Sequence, residues 1–201
     1  MTRLPDRNEK PAGTAPHGLS DSDEARLIAR TAGGELRAFE LLYRLYHPRL
    51  TRFLQRMTRR PALVDELLDD TLLVVWRRAD SFNGRSKVST WIFAIAYRKA
   101  LKALQQLDEP ADDEGADERP EPGPGPEQRI DQWQLRAALQ RALDQLSAAQ
   151  RAVVDLAYYH GMGYREIAEI ADCPVDTVKT RMFYARRRLK ALLPGAKEDW
   201  L

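Results

Sequence analysis

An acidic segment at residues 107–128 constrains the fold of this 201-residue chain more than any other feature. The segment holds nine carboxylates and one arginine, and five prolines and three glycines interrupt it. A segment of this composition repels itself and has too few apolar side chains to join a packed core. It therefore predicts an extended linker between two separately folded parts of the chain.

Helical patterns fill the chain on both sides of the linker, and they predict an all-α protein of two small helical domains. The first domain covers residues 20–106 and the second covers residues 129–201, whereas residues 1–19 have little to bury and are expected to be disordered. Pro48 lies inside the second predicted helix, where we expect a kink or break near His47. The predicted helices span residues 21–31, 35–58, 61–79, 88–107, 130–143, 148–160, 164–171 and 174–193.

Composition excludes several classes of protein. The 32 basic side chains nearly balance the 30 acidic ones, so a net charge of +2 gives no bulk electrostatic argument for nucleic acid. The single cysteine, Cys173, cannot form an internal disulfide, as is typical of a reducing compartment. No apolar run approaches the ~20 residues of a membrane helix, and no signal peptide is recognisable. We therefore expect a cytoplasmic protein.

Residues 164–193 have the pattern of a helix-turn-helix. A short helix over residues 164–171 ends at a turn, and Pro174 suits the first turn of the helix that follows. The opposite face of that second helix carries hydroxyls, two adjacent aromatic rings and several cations, which is typical of a helix that enters a DNA groove. A solvated basic helix packed on a bundle is the alternative, although the short helix and the tight turn favour DNA. The apolar face repeats every three or four residues, at Val175, Val178, Met182, Ala185, Leu189 and Leu192.

The predicted helix over residues 61–79 is apolar on more than one face. It either lies deep in a bundle or presents a second apolar face to a partner. Its carboxylates lie in the first half and its cations in the second, an order that complements the helix dipole. Stabilisation of the helix alone would explain this order, and so would a surface that binds a partner. The residue types leave both interpretations open.

A loop over residues 80–87 leads into a helix that mixes aromatic, apolar and basic side chains. Trp91 and Phe93 suit a hydrophobic core. Aromatic rings beside cations also suit unpaired bases, which stack on rings and whose phosphates attract lysine and arginine. The residue types alone do not decide between core and nucleic-acid contact.

Two parts of the chain resemble regions 2 and 4 of bacterial RNA polymerase sigma factors of the sigma-70 family. The likeness to region 2 lies in AFELLYRLYHPRL, VDELLDDTLLVVWRRADSF and STWIFAIAYRKAL. The likeness to region 4 lies in Leu146-Ser147, in YREIA from Tyr164 and in PVDTVKTR from Pro174. A region 2 joined directly to a region 4 is the pattern of the extracytoplasmic-function group (ECF, group 4), and it covers about residues 20–193.

The resemblance implies two modes of DNA binding. The second helix of the helix-turn-helix would read a −35 promoter element in the major groove, where base contacts specify and phosphate contacts position. The residues implied for the −35 element are Asp176, Thr177, Lys179, Thr180, Arg181, Phe183, Tyr184 and Arg187. The loop near residue 80 and the helix behind it would capture the melted −10 strand with a flipped base. The residues implied for that single strand are Ser81, Phe82, Asn83, Arg85, Lys87, Ser89, Thr90, Trp91 and Arg98.

The resemblance also implies protein partners. Core RNA polymerase would bind through its β′ clamp helices and its β flap, and an anti-sigma factor, often membrane-anchored in the family, would compete for the same surfaces. Two positions depart from the family pattern, because Tyr97-Arg98 replaces a common Arg-Asn and Lys102 replaces a frequent Asp. The residues implied for the contact with the clamp helices are Asp65, Glu66, Leu68, Asp69, Leu72, Val75 and Trp76.

Little in the sequence supports an enzyme, a cofactor, a metal or a small-molecule substrate. His17, His47 and His160 are scattered, and with one cysteine there is no metal-ligand spacing. The Gly161–Gly163 stretch is too short for a phosphate-binding loop. Cys173 is better explained as a small turn residue than as a redox switch.

We therefore interpret the sequence as an ECF-type sigma factor, a dissociable subunit that recruits core polymerase to selected promoters and helps to open them. One alternative is a free-standing helix-turn-helix regulator that acts as a dimer, which predicts tight binding to a palindrome without polymerase. Another alternative is a helical adaptor whose basic helix binds an acidic protein, which predicts indifference to DNA.

Overall fold

The computed structural model describes residues 19–108, 141–143 and 145–192, and all regular structure in them is helical. The all-α prediction is confirmed for this part of the chain. Of the predicted linker, only residues 107–108 are described, and they belong to the helix that precedes it. The predicted disorder of residues 1–19, apart from Leu19, and most of the helix predicted at 130–143 lie outside the described residues, although 141–143 are helical.

Four α-helices form a bundle in the range that the sequence predicts as the first domain, and that name is kept for the bundle. The helices are α1 (Asp21–Ala32), α2 (Leu36–Thr58), α3 (Pro61–Arg77) and α4 (Val88–Asp108). Ser20 begins α1 with a capping box in which its hydroxyl accepts from the Asp23 N–H. Pro48 leaves α2 uninterrupted, so the possible break near His47 is absent, since Tyr46 and Leu50 on either side are fully buried.

The core of the first domain contains one buried carboxylate. Glu24 of α1 accepts a hydrogen bond from the Tyr46 hydroxyl of α2. Burial raises the pKa of the Glu24 carboxyl despite that bond, and burial beside Glu24 also raises the pKa of Tyr46. Around this pair the largest buried side chains, including Phe53 and Phe93, close the bundle.

Three helices carry the described part of the second domain: α5 (Ala148–Tyr158), α6 (Tyr164–Ala171) and α7 (Val175–Leu192). Ser147 caps α5 as the sequence predicts, and Gln150 completes its capping box. Asp172 ends α6 in the left-handed conformation at φ 47° and turns the chain toward α7. Pro174 precedes α7, and its carbonyl accepts from the Thr177 and Val178 N–H groups at 2.9 and 3.3 Å.

The two domains pack against each other, which the sequence did not predict. Helix α5 lies on α2, and α6 lies on α4. Arg56 Nη1 of α2 lies 2.7 Å from Asp155 Oδ1 of α5. Arg151 of α5 donates to the Met57 carbonyl at 2.8 and 3.1 Å. The interface therefore combines charged and backbone contacts with apolar packing.

Candidate nucleic-acid and polymerase interfaces

Helix α7 buries its apolar stripe and exposes its polar face. Val178, Met182, Ala185 and Leu189 are buried, as predicted from their spacing. Phe183 and Tyr184 are 61% and 51% exposed, which is unusual for aromatic side chains in a domain that has a core to fill. Their rings lie 5.5 Å apart and edge-on. Most of the predicted −35 residues share this face, namely Asp176, Lys179, Thr180, Phe183, Tyr184 and Arg187, while Thr177 is half-buried beside them.

Local contacts order part of that polar face. Lys179 Nζ lies 2.9 Å from Asp176 Oδ1, one turn earlier on α7. This face therefore presents a hydrogen-bond donor and an acceptor next to each other. Arg186 Nε donates to the Tyr158 hydroxyl of α5 at 3.1 Å. Arg188 Nη2 donates to Gln145 Oε1 at 3.1 Å. The helix thus presents cations that neighbouring side chains already orient.

Arg181 is the predicted −35 residue that lies apart from the others. Its guanidinium is half-buried, and its Nη1 lies 3.7 Å from Cys173 Sγ. It also lies close to Tyr97 of α4, where burial raises the pKa of the tyrosine and the cation opposes the rise. Arg181 therefore lies on the side of α7 that faces α4 of the first domain.

The loop predicted to bind single-stranded DNA has a defined local structure. A 3-10 turn, Ala79–Ser81, leads out of α3. The Asn83 side-chain carbonyl then accepts from the Arg85 N–H at 3.0 Å, and Gly84 takes φ 71°, a conformation that favours glycine. The rings of Phe82 and Trp91 meet edge-on at 5.7 Å. Phe82 and Trp91 are both half-buried.

A cleft of about 450 Å³ lies between this loop and the second domain. Lys87 crosses it, with Nζ 3.1 Å from Glu166 Oε1 of α6 and 3.6 Å from Asp21 Oδ2 of α1. The hydrogen bond with Glu166 raises the pKa of the Lys87 ammonium. Thr90 Oγ1 is buried on the cleft wall and has no hydrogen-bond partner among the described residues.

The structure gathers some of the predicted single-strand residues and leaves others apart. Phe82, Arg85, Lys87 and Thr90 line the cleft, and Asn83 shapes its rim. Ser81 is exposed and donates to the Arg78 carbonyl at 2.7 Å. Two further residues follow on α4, where Ser89 is half-buried and Arg98 is exposed two turns beyond the cleft.

The predicted polymerase-binding residues divide between the surface and the core of the first domain. Leu68, Leu72 and Val75 are at most 3% exposed, because their side of α3 packs against the bundle. The exposed residue that the sequence missed is Leu73, at 43% exposure. Leu73 is a leucine next to the buried stripe of α3 but outside it. An apolar residue in such a position could have been predicted from the sequence to lie on the surface. The exposed acidic residues predicted with them are Asp65, Glu66 and Asp69, and Trp76 is half-buried against Phe39.

The described residues contain no group of three or more His, Cys, Asp or Glu side chains that could hold a metal ion. None of their helices is both long and apolar enough to cross a membrane.

The geometry defines a class of protein, an all-helical chain with a helix-turn-helix that presents a DNA-reading face. The chain matches the family models of two regions of sigma-70 factors, "Sigma-70 region 2" over residues 42–109 and "Sigma-70, region 4" over residues 136–189. The ECF RNA polymerase sigma factor RpoE of Cereibacter sphaeroides is 31% identical over 163 residues, covering 76% of this chain and 84% of that protein. This chain belongs to the sigma-70 family of RNA polymerase sigma factors, in its extracytoplasmic-function (ECF) group.

Solved structures agree with this assignment. The sigma factor RpoE from Bartonella quintana, in complex with the anti-sigma factor NepR, matches with a TM-score of 0.55 at 28% identity, covering 79% of this chain and 98% of that chain. The structure of CnrH in complex with the cytosolic domain of CnrY has a TM-score of 0.62 at 23% identity, covering 87% of this chain and 99% of that chain. The CnrH likeness concerns the fold alone. The protein is thus an RNA polymerase sigma factor, and a free-standing dimeric regulator is not favoured.

Proposed function

We propose that this sigma factor, acting in the cytoplasm and catalysing no reaction itself, directs core polymerase through two separate DNA-reading surfaces. The observation that carries the proposal is the exposed face of α7, where Phe183 and Tyr184 lie more than half exposed among cations. An α-helix fits the major groove of B-DNA, and a face of this composition suits base edges and phosphates together. We assign this face to the −35 element.

Within that face the residues divide by chemistry. Lys179 can donate to guanine, and Asp176 can accept from the amino group of cytosine. Thr180 and Phe183 offer methyl and ring surface to a thymine methyl group. Arg187 suits backbone phosphates, with Arg186 oriented by Tyr158 for the same purpose.

The second DNA surface is the loop and cleft of the first domain, which we assign to the melted −10 strand. The cations Arg85 and Lys87 suit phosphates, and the Phe82–Trp91 pair supplies an edge on which a base can stack. The unpartnered Thr90 hydroxyl in the cleft wall can bind a polar group of an extruded base. Arg98 extends the basic path along α4.

For the polymerase contact we propose the exposed face of α3. Its carboxylates and the exposed Leu73 form a mixed acidic and apolar patch, which fits a partner helix with basic and apolar side chains, as expected for the β′ clamp helices. The patch consists of Asp65, Glu66, Asp69, Leu73 and Trp76. The second domain would contact the β flap.

We also propose an anti-sigma factor, anchored in the membrane, as a partner. The support is the complex of the Bartonella quintana sigma factor with the anti-sigma factor NepR, a structure that this chain resembles over 79% of its length. A protein that covers the α3 patch or the α7 face would prevent promoter use by occupying the same side chains.

The test is run-off transcription with purified core polymerase on a pool of genomic promoter fragments, with and without this protein. We expect a small set of new transcripts that depend on the protein. Binding to core polymerase is measured in parallel by co-elution. A folded protein that neither binds core polymerase nor yields a new transcript would refute the proposal.

A further inference from the structure

The solvent-facing side of α2 carries a row of exposed arginines that no function discussed above uses. They recur every seven or eight residues, which keeps them on one face of a helix with 3.6 residues per turn. The residues between them on that face are uncharged, and Glu40, the single carboxylate of α2, lies at the edge of the face. The arginine row consists of Arg37, Arg44, Arg52 and Arg59.

The middle of the arginine row lacks ionic partners in the part of the chain that the structure describes. No carboxylate there forms an ion pair with Arg44 or Arg52. A line of positive charge on one helix face attracts a partner that carries negative charge along a line. The row therefore suits an extended acidic segment better than a single anion.

This chain contains such a segment at residues 107–128. Nine carboxylates and one arginine give the segment a net charge of −8, and because the whole chain carries +2, the remaining residues carry +10. The near-neutral total thus hides two parts of opposite charge. The acidic segment is the complement to a basic surface that the chain itself supplies.

The charges of the two partners have similar spacing. Neighbouring arginines of the row are about 11–12 Å apart along α2, at 1.5 Å per residue. The carboxylates of the acidic segment fall in groups about four residues apart, which is roughly 11–15 Å in an extended chain at about 3.3 Å per residue. Four groups can therefore face four arginines in step. The groups lie at residues 108–109, 112–114, 117–118 and 121.

The path of the chain brings the acidic segment back to one end of the row. Arg151 of α5 donates to the Leu146 carbonyl and also to the Met57 carbonyl, so the chain re-enters the second domain beside the end of α2, where Arg59 lies. Residues 109–140 span about 100 Å when extended, whereas the row is about 33 Å long. The chain is long enough to follow the row and still reach residue 141.

We propose that the acidic segment of this chain, residues 109–128, binds along the arginine row of α2. The contact neutralises the row and keeps it from binding other polyanions, above all nucleic acid of any sequence. No residue of the row belongs to the −35 face, the −10 loop or the α3 patch. The inference therefore goes beyond the proposed function and does not depend on it.

The first measurement is paramagnetic broadening of NMR signals in the full chain. A nitroxide is attached at Ala116→Cys, within the acidic segment, in a Cys173→Ser background that removes the native thiol. We expect broadening of backbone amides on the outer face of α2 between Arg44 and Gln55. The broadening should disappear in about 0.5 M salt, where the Debye length is only about 4 Å.

Two pairs of substitutions show whether the row itself makes the contact. Arg44→Gln/Arg52→Gln should remove the broadening of α2. The matched control is Arg77→Gln/Arg78→Gln, which removes two exposed arginines at the end of α3 and should leave the broadening unchanged. Circular dichroism confirms that each variant is folded, and the salt titration of the unsubstituted row is a second test that needs no change to α2.

Three results of this measurement would overturn the proposal. One is a spectrum in which α2 is not broadened, whether or not α7 is. Another is broadening of α2 that persists in the Arg44→Gln/Arg52→Gln variant. The third is broadening of an isotope-labelled molecule by a separate nitroxide-labelled one, which would make a second copy the occupant of the row.

The second measurement is the binding of the free protein to a fluorescent DNA duplex of random sequence, followed by anisotropy at about 0.1 M salt. A variant with a neutralised segment should bind about tenfold more tightly, because one phosphate contact alone changes affinity about eightfold between 1 M and 0.1 M salt. The substitutions that neutralise the segment are Asp112→Asn, Asp113→Asn, Glu114→Gln, Asp117→Asn and Glu118→Gln.

The gain in affinity should be lost when Arg44→Gln/Arg52→Gln is added and largely kept when Arg77→Gln/Arg78→Gln is added. Both pairs lower the net charge by two, so a difference between them reports the row and not the total charge. An equal loss with either pair, or no gain on neutralising the segment, would overturn the shielding role. Neither measurement uses polymerase or a promoter, so failure of the proposed function would leave both results unchanged.

Discussion

Glu24 shows at the scale of one residue how this fold accommodates charge. It is buried between α1 and α2, and the Tyr46 hydroxyl that donates to it does not fully offset the loss of water. Its pKa is raised, so the native state holds the proton more tightly than the unfolded chain does. The contribution of Glu24 to stability is therefore greatest at acidic pH and falls as pH rises through the carboxyl range and above it.

We predict that Glu24→Gln raises the Tm at pH 7, because it keeps an oxygen for Tyr46 and removes the buried charge. The difference from the unchanged protein should shrink as the pH is lowered toward 4. Thermal unfolding followed by circular dichroism measures this, with Glu40→Gln on the surface as the control. A Glu24→Gln variant that is less stable at pH 7 than the unchanged protein would contradict this view of Glu24.

Phe183 is the residue on which the assignment of the −35 face depends most. We predict that Phe183→Ala weakens binding of the holoenzyme to a selected promoter by about 5- to 150-fold, the effect of about 1–3 kcal/mol of lost base contact. Its Tm should stay within a degree or two, because the ring is 61% exposed. Leu41→Ala, at 49% exposure on α2, is the control and should bind promoter normally. Equal promoter binding by both variants would remove Phe183 from the interface.

At the scale of an element, α3 separates its core face from its partner face between two adjacent leucines. Leu72 is 3% exposed and Leu73 is 43% exposed. We predict that Leu72→Ala destabilises the protein by about 2–5 kcal/mol, whereas Leu73→Ala leaves stability nearly unchanged and weakens binding to core polymerase. Urea denaturation and co-elution with core polymerase measure the two effects. Normal polymerase binding by Leu73→Ala would place the contact elsewhere.

The turn of the helix-turn-helix is a second element with a testable cost. Asp172 adopts φ 47° between α6 and α7, a conformation that glycine takes with less strain. We predict that Asp172→Gly stabilises the protein by about 0.5 kcal/mol, since part of the gain is lost to the greater freedom of the unfolded chain. Urea denaturation measures it, with Asp172→Ala as a control that lacks the glycine advantage. Loss of stability in the glycine variant would mean that the Asp172 side chain supports the turn.

Local sequence patterns predict the α-helices better than they predict which side of each helix is buried. Periodicity placed each of the α-helices α1–α7 to within about two residues, and it identified the buried stripe of α7 from Val178 to Leu189. It failed where one helix has two apolar faces, because the spacing of α3 does not say which leucine is buried. It also did not predict the surroundings of Arg181. The neighbours of Arg181 are Cys173, from the turn before α7, and Tyr97, from α4 of the first domain.

At the scale of the whole molecule, the contact between the domains was beyond the reach of the sequence. The pair Arg56–Asp155 joins residues 99 positions apart, and no local pattern marks either as a partner of the other. The acidic composition of residues 107–128 predicted that two domains exist and was silent on how they meet. The domain limits proposed from the linker remain a prediction.

As a subunit of polymerase, this one sigma factor is proposed to read two separated promoter elements. The most direct measurement is a DNase I footprint with permanganate probing of thymines, on a promoter found by run-off transcription. We predict protection near −35 and reactive thymines near −10 only when protein and core polymerase are both present, with the −35 protection lost in Phe183→Ala. A palindromic footprint made by the protein alone, without melting, would contradict the account and favour a dimeric regulator.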